Sequence, residues 1–184
     1  MSFPQYIYQN DTVFLGDSLT ESFDLLKHFG RDDLRNRGMS GDMTDHVLYR
    51  LEEITGAKPA RIFLMIGIND IYQGYAADRI IQNIEKILSR FALYCPQTKV
   101  ILQSILPVNC KKLFIEKSVN TDIYRINMKL KAIAEKMKIQ FIDIHPDFLN
   151  NNGEMDEKYT YDGVHLTEEG YYLWADLIRD YLPG

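Results

Sequence analysis

The sequence predicts an α/β protein built on a parallel sheet with helices packed on both faces, and three observations lead there. Short apolar runs alternate with segments of helical periodicity along the whole chain. The apolar runs are continuous rather than alternating, which suits strands covered on both faces. No internal repeat, low-complexity tract or Pro/Gly/Ser-rich linker divides the 184 residues, so a single domain, 1–184, is expected. Strands that alternate with helices run parallel through right-handed crossovers. Five of them in this length point to a three-layer α/β/α, flavodoxin-like arrangement.

Each element has its own signal. Thr12-Val13-Phe14-Leu15 is a short buried strand stopped by Gly16, and Leu34 to Arg37 is a weaker strand. Val47, Leu48, Leu51 and Ile54 share one face of a helix that starts near Thr44. Arg61 to Ile66 is continuously apolar after its first residue and forms the third strand. Ile80, Ile81, Ile84, Ile87, Leu88 and Phe91 recur at helical spacing, and Lys99 to Ser104 follows as the fourth strand. Ile123, Ile126, Leu130, Ile133, Ala134 and Met137 make a second stripe ahead of a fifth strand, Ile139 to Asp143. Both stripes read as core packing. The last helix, Thr167 to Leu182, opens on a threonine suited to the N-cap and two glutamates suited to the positive end of the helix dipole.

Composition narrows the class of partner. The chain is 46% hydrophobic and 26% charged, as soluble globular proteins are. A net charge of −5, from 21 basic and 26 acidic side chains, disfavours nucleic acid and anionic membrane. Lys111-Lys112 reads as a solvated surface pair. Residues 1–11 lack a basic n-region and a sustained apolar stretch, so they do not read as a signal peptide. No window approaches the ~18 consecutive apolar residues that membrane insertion needs. Cys95 and Cys110 lack metal-ligand or redox spacing and read as free thiols of a reducing compartment, hence a cytoplasmic location. No His/Cys/carboxylate group has metal-ligand spacing, and no glycine-rich nucleotide signature is present, so neither metal nor cofactor is expected. Oligomeric state leaves no signature.

In open α/β sheets, ligands sit beyond the carboxyl ends of the strands. Four loops fall there: Gly16-Asp17-Ser18-Leu19-Thr20, the segment from Asn36 to Asp42, Gly67-Ile68-Asn69-Asp70, and Asp162-Gly163-Val164-His165. Acyl transfer by a serine needs a hydroxyl, a base in hydrogen-bond reach, a group to orient that base, and donors aimed at the developing oxyanion. Ser18 follows a strand and opens a helix. His165 is the candidate base, and a tight turn through Gly163 brings the Asp162 carboxylate to its far nitrogen. Gly41 offers an unobstructed backbone N–H, and Asn69 a side-chain amide. Either Ser18 or Asp17 could cap the helix that follows, and Asp17 reads as a structural residue or one that supports the site from behind. His28 and His46, in helical surroundings, and His145, in a turn before Pro146, read as structural.

The four blocks, in this order, resemble those of the GDSL, or SGNH, hydrolases, from about Val13 to Leu182. The resemblance implies a flavodoxin-like core and a Ser18–His165–Asp162 triad. It also implies an oxyanion hole from the Ser18 and Gly41 N–H groups and the Asn69 side chain. Asp162 to Thr167, with Gly170, Tyr171 and Trp174 downstream, looks closest to the acetylhydrolase and carbohydrate-acetylesterase branch.

The function expected is therefore a serine ester hydrolase acting on a small-molecule ester, with a histidine base that fails on acidification. No insertion large enough for a lid or acyl tunnel appears, which favours a short acyl group such as acetyl. The irregular stretch from Leu106 to Lys117 follows the fourth strand and should line the site, with Tyr72, Tyr75, Val108 and Val164 as candidate walls. Two other functions fit the same fold: a thioesterase or lysophospholipase using the same triad, and a non-catalytic small-molecule-binding protein.

Overall fold

The computed structural model describes residues 6–114 and 118–183. Its centre is a five-stranded parallel sheet of β1 (Thr12–Gly16), β2 (Leu34–Gly38), β3 (Arg61–Met65), β4 (Lys99–Gln103) and β5 (Gln140–Ile142). The strand order is β2-β1-β3-β4-β5, so the chain reverses direction across the sheet beside β1. That is the flavodoxin-like order, with its crevice at the carboxyl ends of β1 and β3.

Alternation along each strand sorts side chains between two cores. Val13, Leu15, Ile62, Leu64 and Leu102 pack with the predicted stripes of α6 (Ala77–Tyr94) and α8 (Ser118–Met137). Phe14, Phe63, Met65 and Ile101 face the opposite layer, which holds α9 (Glu168–Ile178). There Phe14 stacks on Phe63 at 4.7 Å and Phe23 on Trp174 at 4.6 Å. The indole N–H of Trp174 donates to Gln103 Oε1 at 2.7 Å, which ties α9 to β4. Every apolar residue of both predicted stripes is buried except Met137, which is half-buried.

Several expectations are corrected in detail. β2 is an edge strand in which only Leu34 is buried, which explains its weak apolar signal. Its arginines pair outward instead, Arg35 with Asp11 and Arg37 with Glu53, both at 2.9 Å. The single helix expected from Thr44 is two, α3 (Thr44–Tyr49) and α4 (Leu51–Ala57), interrupted at Arg50. The last helix ends at Ile178 and gives way to a 3-10 turn over Arg179–Tyr181, short of Leu182. Thr167 does cap it, accepting from the Gly170 N–H at 3.2 Å.

Four short helices, each too brief to show a periodicity, complete the fold: α1 (Ser18–Glu21), α2 (Leu25–Phe29), α5 (Ile68–Tyr72) and α7 (Cys110–Leu113). The stretch from Leu106 to Lys117 is therefore partly helical, and its residues 115–117 lie outside the described residues. Cys95 and Cys110 are both buried and unbridged. Among the described residues no helix is long and apolar enough to cross a membrane.

Candidate active site

α1 begins where β1 ends, and Asp17 makes the junction. Its carboxylate accepts from the Leu19 N–H at 3.0 Å and caps the helix, which leaves the Ser18 hydroxyl uncommitted to capping. Asp17 is 1% exposed, and burial raises its carboxyl to about 7 despite the hydrogen bond from Leu19 and the nearby His165. The negative Asp42 works in the same direction as burial.

Ser18 Oγ lies 3.0 Å from His165 Nε2, and His165 Nδ1 lies 2.6 Å from Asp162 Oδ2. The turn that sets this spacing is itself built by Asp162. Its Oδ1 accepts from the Val164 and His165 N–H groups at 2.9 and 2.8 Å, while Gly163 takes φ = 105°, which a side chain there would strain. Burial would push the Asp162 carboxyl up. The hydrogen bonds from the His165 ring and the two N–H groups outweigh it and hold the carboxyl below its usual range. An ionised Asp162 only accepts, so Nδ1 carries the proton and Nε2 is free to accept from Ser18.

The turn is also held from outside. The Asn109 N–H donates to Gly163 O at 2.8 Å, and Lys112 Nζ donates to Thr160 O at 2.7 Å. Lys112 is thus a half-buried strut of the His165 loop rather than a solvated residue. Lys111 beside it is exposed, 3.9 Å from Glu157.

On the opposite side, Asn69 Nδ2 donates to Asp42 O at 2.9 Å, which brings it to the residue after Gly41 and leaves its second N–H unused. Gly41 is exposed and adopts φ = 80°. Among the described residues neither the Ser18 nor the Gly41 N–H meets a protein acceptor. For Ser18 this follows from its place in the first turn of α1. Three donors are therefore open in the loops around Ser18.

Neither Asp42 nor the Thr44 side chain caps α3 in the usual way. The Thr44 N–H instead donates to Asp70 Oδ2 at 2.9 Å and its hydroxyl to Asp70 Oδ1 at 2.5 Å. Asn83 Nδ2 donates to the same hydroxyl at 2.9 Å. Asp70 is fully buried, and burial raises its carboxyl even though both Thr44 bonds oppose this.

The candidate walls divide. Tyr72 is 38% exposed, its phenol pushed up mainly by partial burial, with Cys110 and Asp162 contributing. Tyr75 is half-buried with the Arg79 guanidinium 3.8 Å from its ring centroid, and Val164 is half-buried against the core. Val108 is corrected: it is 1% exposed and belongs to the core, with its N–H and carbonyl both taken by Asn120. A further candidate wall, not singled out from the sequence, is Tyr161, 65% exposed, with its ring 5.9 Å from the His165 imidazole and 16° from parallel. Its place directly before Asp162 was the available signal. Among the described residues none of the other histidines hydrogen-bonds to Ser18, Asp162 or His165, although His46 Nδ1 lies 3.7 Å from Asp42 Oδ1. His28 packs among Phe23, Tyr171 and Tyr172, His145 is buried with Nε2 unpartnered, and His46 accepts from the Met43 N–H.

A parallel α/β sheet with a serine, a histidine and a carboxylate in hydrogen-bonded series at its carboxyl edge has the make-up of a hydrolytic enzyme. The chain belongs to the GDSL-like lipase/acylhydrolase family, whose model matches residues 14–173. It is similar to platelet-activating factor acetylhydrolase IB subunit alpha1 of Bos taurus, 28% identical over 172 residues, covering 88% of this chain and 70% of that one. An N-acylneuraminate cytidylyltransferase of Streptococcus agalactiae is 29% identical over 174 residues, 91% of this chain but 39% of that protein. The chain thus spans well under half the length of that relative. Among solved structures, a GDSL-like lipase of Bacteroides thetaiotaomicron superposes with a TM-score of 0.84 at 27% identity, covering 94% of this chain and 87% of that one.

Proposed function

We propose that this protein is a serine ester hydrolase that removes a short acyl group, acetyl first among them, from a small-molecule or carbohydrate ester. The observation that carries the reading is the unbroken series Ser18 Oγ–His165 Nε2 and His165 Nδ1–Asp162 Oδ2, at 3.0 and 2.6 Å.

In the first step Ser18 Oγ attacks the ester carbonyl as its proton passes to His165 Nε2. The carbonyl oxygen becomes an oxyanion held by the Ser18 and Gly41 N–H groups and the free N–H of Asn69. Collapse of this intermediate breaks the ester C–O bond, and the alcohol leaves with the proton from His165. Water then gives its proton to His165 and attacks the acyl-Ser18. The carboxylic acid departs and the serine recovers its proton.

Three features favour a short acyl group on a bulky alcohol. The side chains of His165 and Asp162 are 35% and 40% exposed, so the body of a substrate can remain in solvent. Tyr161 presents an exposed aromatic face beside the base, a surface on which a sugar ring can stack, and Tyr72 is partly exposed within electrostatic reach of Asp162. The acetylhydrolase relative carries acetyl in its name.

The test is turnover of p-nitrophenyl acetate by wild type against Ser18→Ala. The expected loss is on the order of 10⁴-fold or more in kcat, and equal rates would remove Ser18 as nucleophile. A panel of acyl lengths, thioesters and sugar acetates then reads the substrate. Faster turnover of long-chain or thioester substrates than of acetates would overturn the short-acyl assignment.

A further inference from the structure

Arg50 occupies the break between α3 and α4, and its side chain turns away from both helices to run beneath the site. Its Nε donates to Asp42 Oδ2 at 2.7 Å. Its Nη2 donates to two carbonyls, Gly16 O at 3.1 Å and Arg37 O at 2.8 Å. Gly16 ends β1 two residues before Ser18. Arg37 lies at the end of β2, where the chain enters the Gly41 loop. Asp42 follows Gly41, and its own carbonyl accepts from Asn69. One guanidinium therefore reaches every segment that supplies an open donor: two directly, and the Asn69 loop through Asp42.

We propose that Arg50 is the positioning residue of the oxyanion hole, fixing the Gly41 N–H and the Asn69 amide against Ser18 through Asp42 and the two strand-end carbonyls. The inference rests on the serine-esterase reading above.

Three physical points support it. Donors stabilise an oxyanion only if they are held in place before the charge forms. The Gly41 loop is tied on its near side by Ser40 to Glu21 and by the Met39 N–H to Gly16 O, but Gly41 itself is exposed with a left-handed backbone, so Asp42 sets the position of its far side. Second, Asp42 is 4% exposed, and a buried carboxylate needs a charged partner with good geometry. Asp17 lies near enough to repel it; Arg50, at 2.7 Å, is its hydrogen-bonded cation, while the His46 ring stands off at 3.7 Å. Third, arginine presents its donors in one rigid plane, which suits a carboxylate on one side and two carbonyls on the other. A lysine supplies the charge without the fork. The interrupted helix also finds its reason here: the backbone at Arg50 departs from helical geometry, and its side chain points into the sheet edge instead of along the helix.

The experiment measures p-nitrophenyl acetate hydrolysis by the full chain and by Arg50→Met, Arg50→Lys and Arg50→Ala. Rates are expressed per active serine, counted with a phosphonate that labels it. For Arg50→Met the inference expects kcat to fall on the order of 10²-fold with KM within a few-fold of wild type. Arg50→Lys should lose on the order of 10-fold. Guanidinium at sub-denaturing concentration should restore part of the turnover of Arg50→Ala and none of that of Asn69→Ala. A merely structural arginine would lower thermal stability and the count of active serines, leaving kcat per active serine unchanged with no rescue. That result overturns the inference. If the Arg50 variants do not fold, Asp42→Asn keeps the shape and removes the ion pair. Wild-type kcat there overturns the inference as well. Ser18→Ala as active as wild type would sink the esterase reading and this inference together. A dead Ser18→Ala beside a fully active Arg50→Met would sink this inference alone.

Discussion

His165 and its carboxylate lie three residues apart on one turn, whereas the Gly41 and Asn69 donors are held by side chains from several separate connections. The proposed acid–base half is largely self-assembled: Asp162 shapes the turn with one oxygen and orients the imidazole with the other. The proposed oxyanion half depends on polar side chains brought in from other elements, with Arg50 gripping Asp42 and Asp70 gripping Thr44 across 26 positions. Local geometry tolerates small shifts of the frame around it. A network of buried polar groups transmits them, since each member satisfies another.

The largest effect that tests this contrast is at Asp162. Asp162→Asn keeps an oxygen for the Val164 and His165 N–H groups, so the turn should survive. Its new NH₂ faces Nδ1, however, and forces the proton to the wrong ring nitrogen. The expected loss is on the order of 10⁴-fold in kcat, with thermal unfolding near wild type. A variant that loses its fold would show that the turn depends on the charge as well as on the oxygens.

Next in size is Asn69→Ala, which deletes one candidate donor and the link to Asp42 O. The expected fall is on the order of 10²–10³-fold in kcat, read by steady-state kinetics, with the fold intact by circular dichroism. An unchanged kcat would take Asn69 out of the hole.

The same contrast explains what the sequence made visible. The sheet and its two long helices were legible because Ile80 to Phe91 and Ile123 to Ala134 bury at the spacing their pattern implies. The triad candidates were legible because Asp162 and His165 announce a turn, and Ser18 a strand-to-helix junction. Arg50 was not. It sits in a helical apolar pattern as a surface residue would, and only the fold brings Gly16, Arg37 and Asp42 to it. Lys112 and Tyr161 were missed for the same reason, since one binds a carbonyl 48 residues away and the other is read only against the imidazole it covers. Val108 shows the opposite error: a residue in a promising loop whose side chain turns into the core.

A smaller effect separates Asp70 from the donors it supports. Thr44→Val keeps the volume but removes the hydroxyl between Asp70 and Asn83, leaving both short of a partner in a buried place. The cost should be about 1–3 kcal/mol of unfolding free energy, measured in urea. With Asn69 next in sequence to Asp70, kcat should fall on the order of 10-fold. Lost stability with unchanged kcat would confine Asp70 to the fold and leave Arg50 as the main support of the oxyanion half.

Asp17 gives the smallest effect on turnover and the clearest one on pH, because it caps α1 with its carboxyl and touches neither half of the site by hydrogen bond. Burial raises this group from 3.8 to about 7 in the folded protein. A carboxyl whose folded value lies above its unfolded one favours the fold while protonated. That contribution is complete below the unfolded value near 3.8 and is lost as pH climbs through about 7. Wild type should therefore lose stability between roughly pH 4 and 8 relative to Asp17→Asn, by at most about 4 kcal/mol. Asparagine caps a helix about as well as aspartate does, so the variant isolates ionisation from capping. Urea denaturation of both proteins across that range reads the difference. Parallel curves would mean that Asp17 stays ionised in the fold, and that the charge beneath Ser18 is compensated by more than the Leu19 N–H.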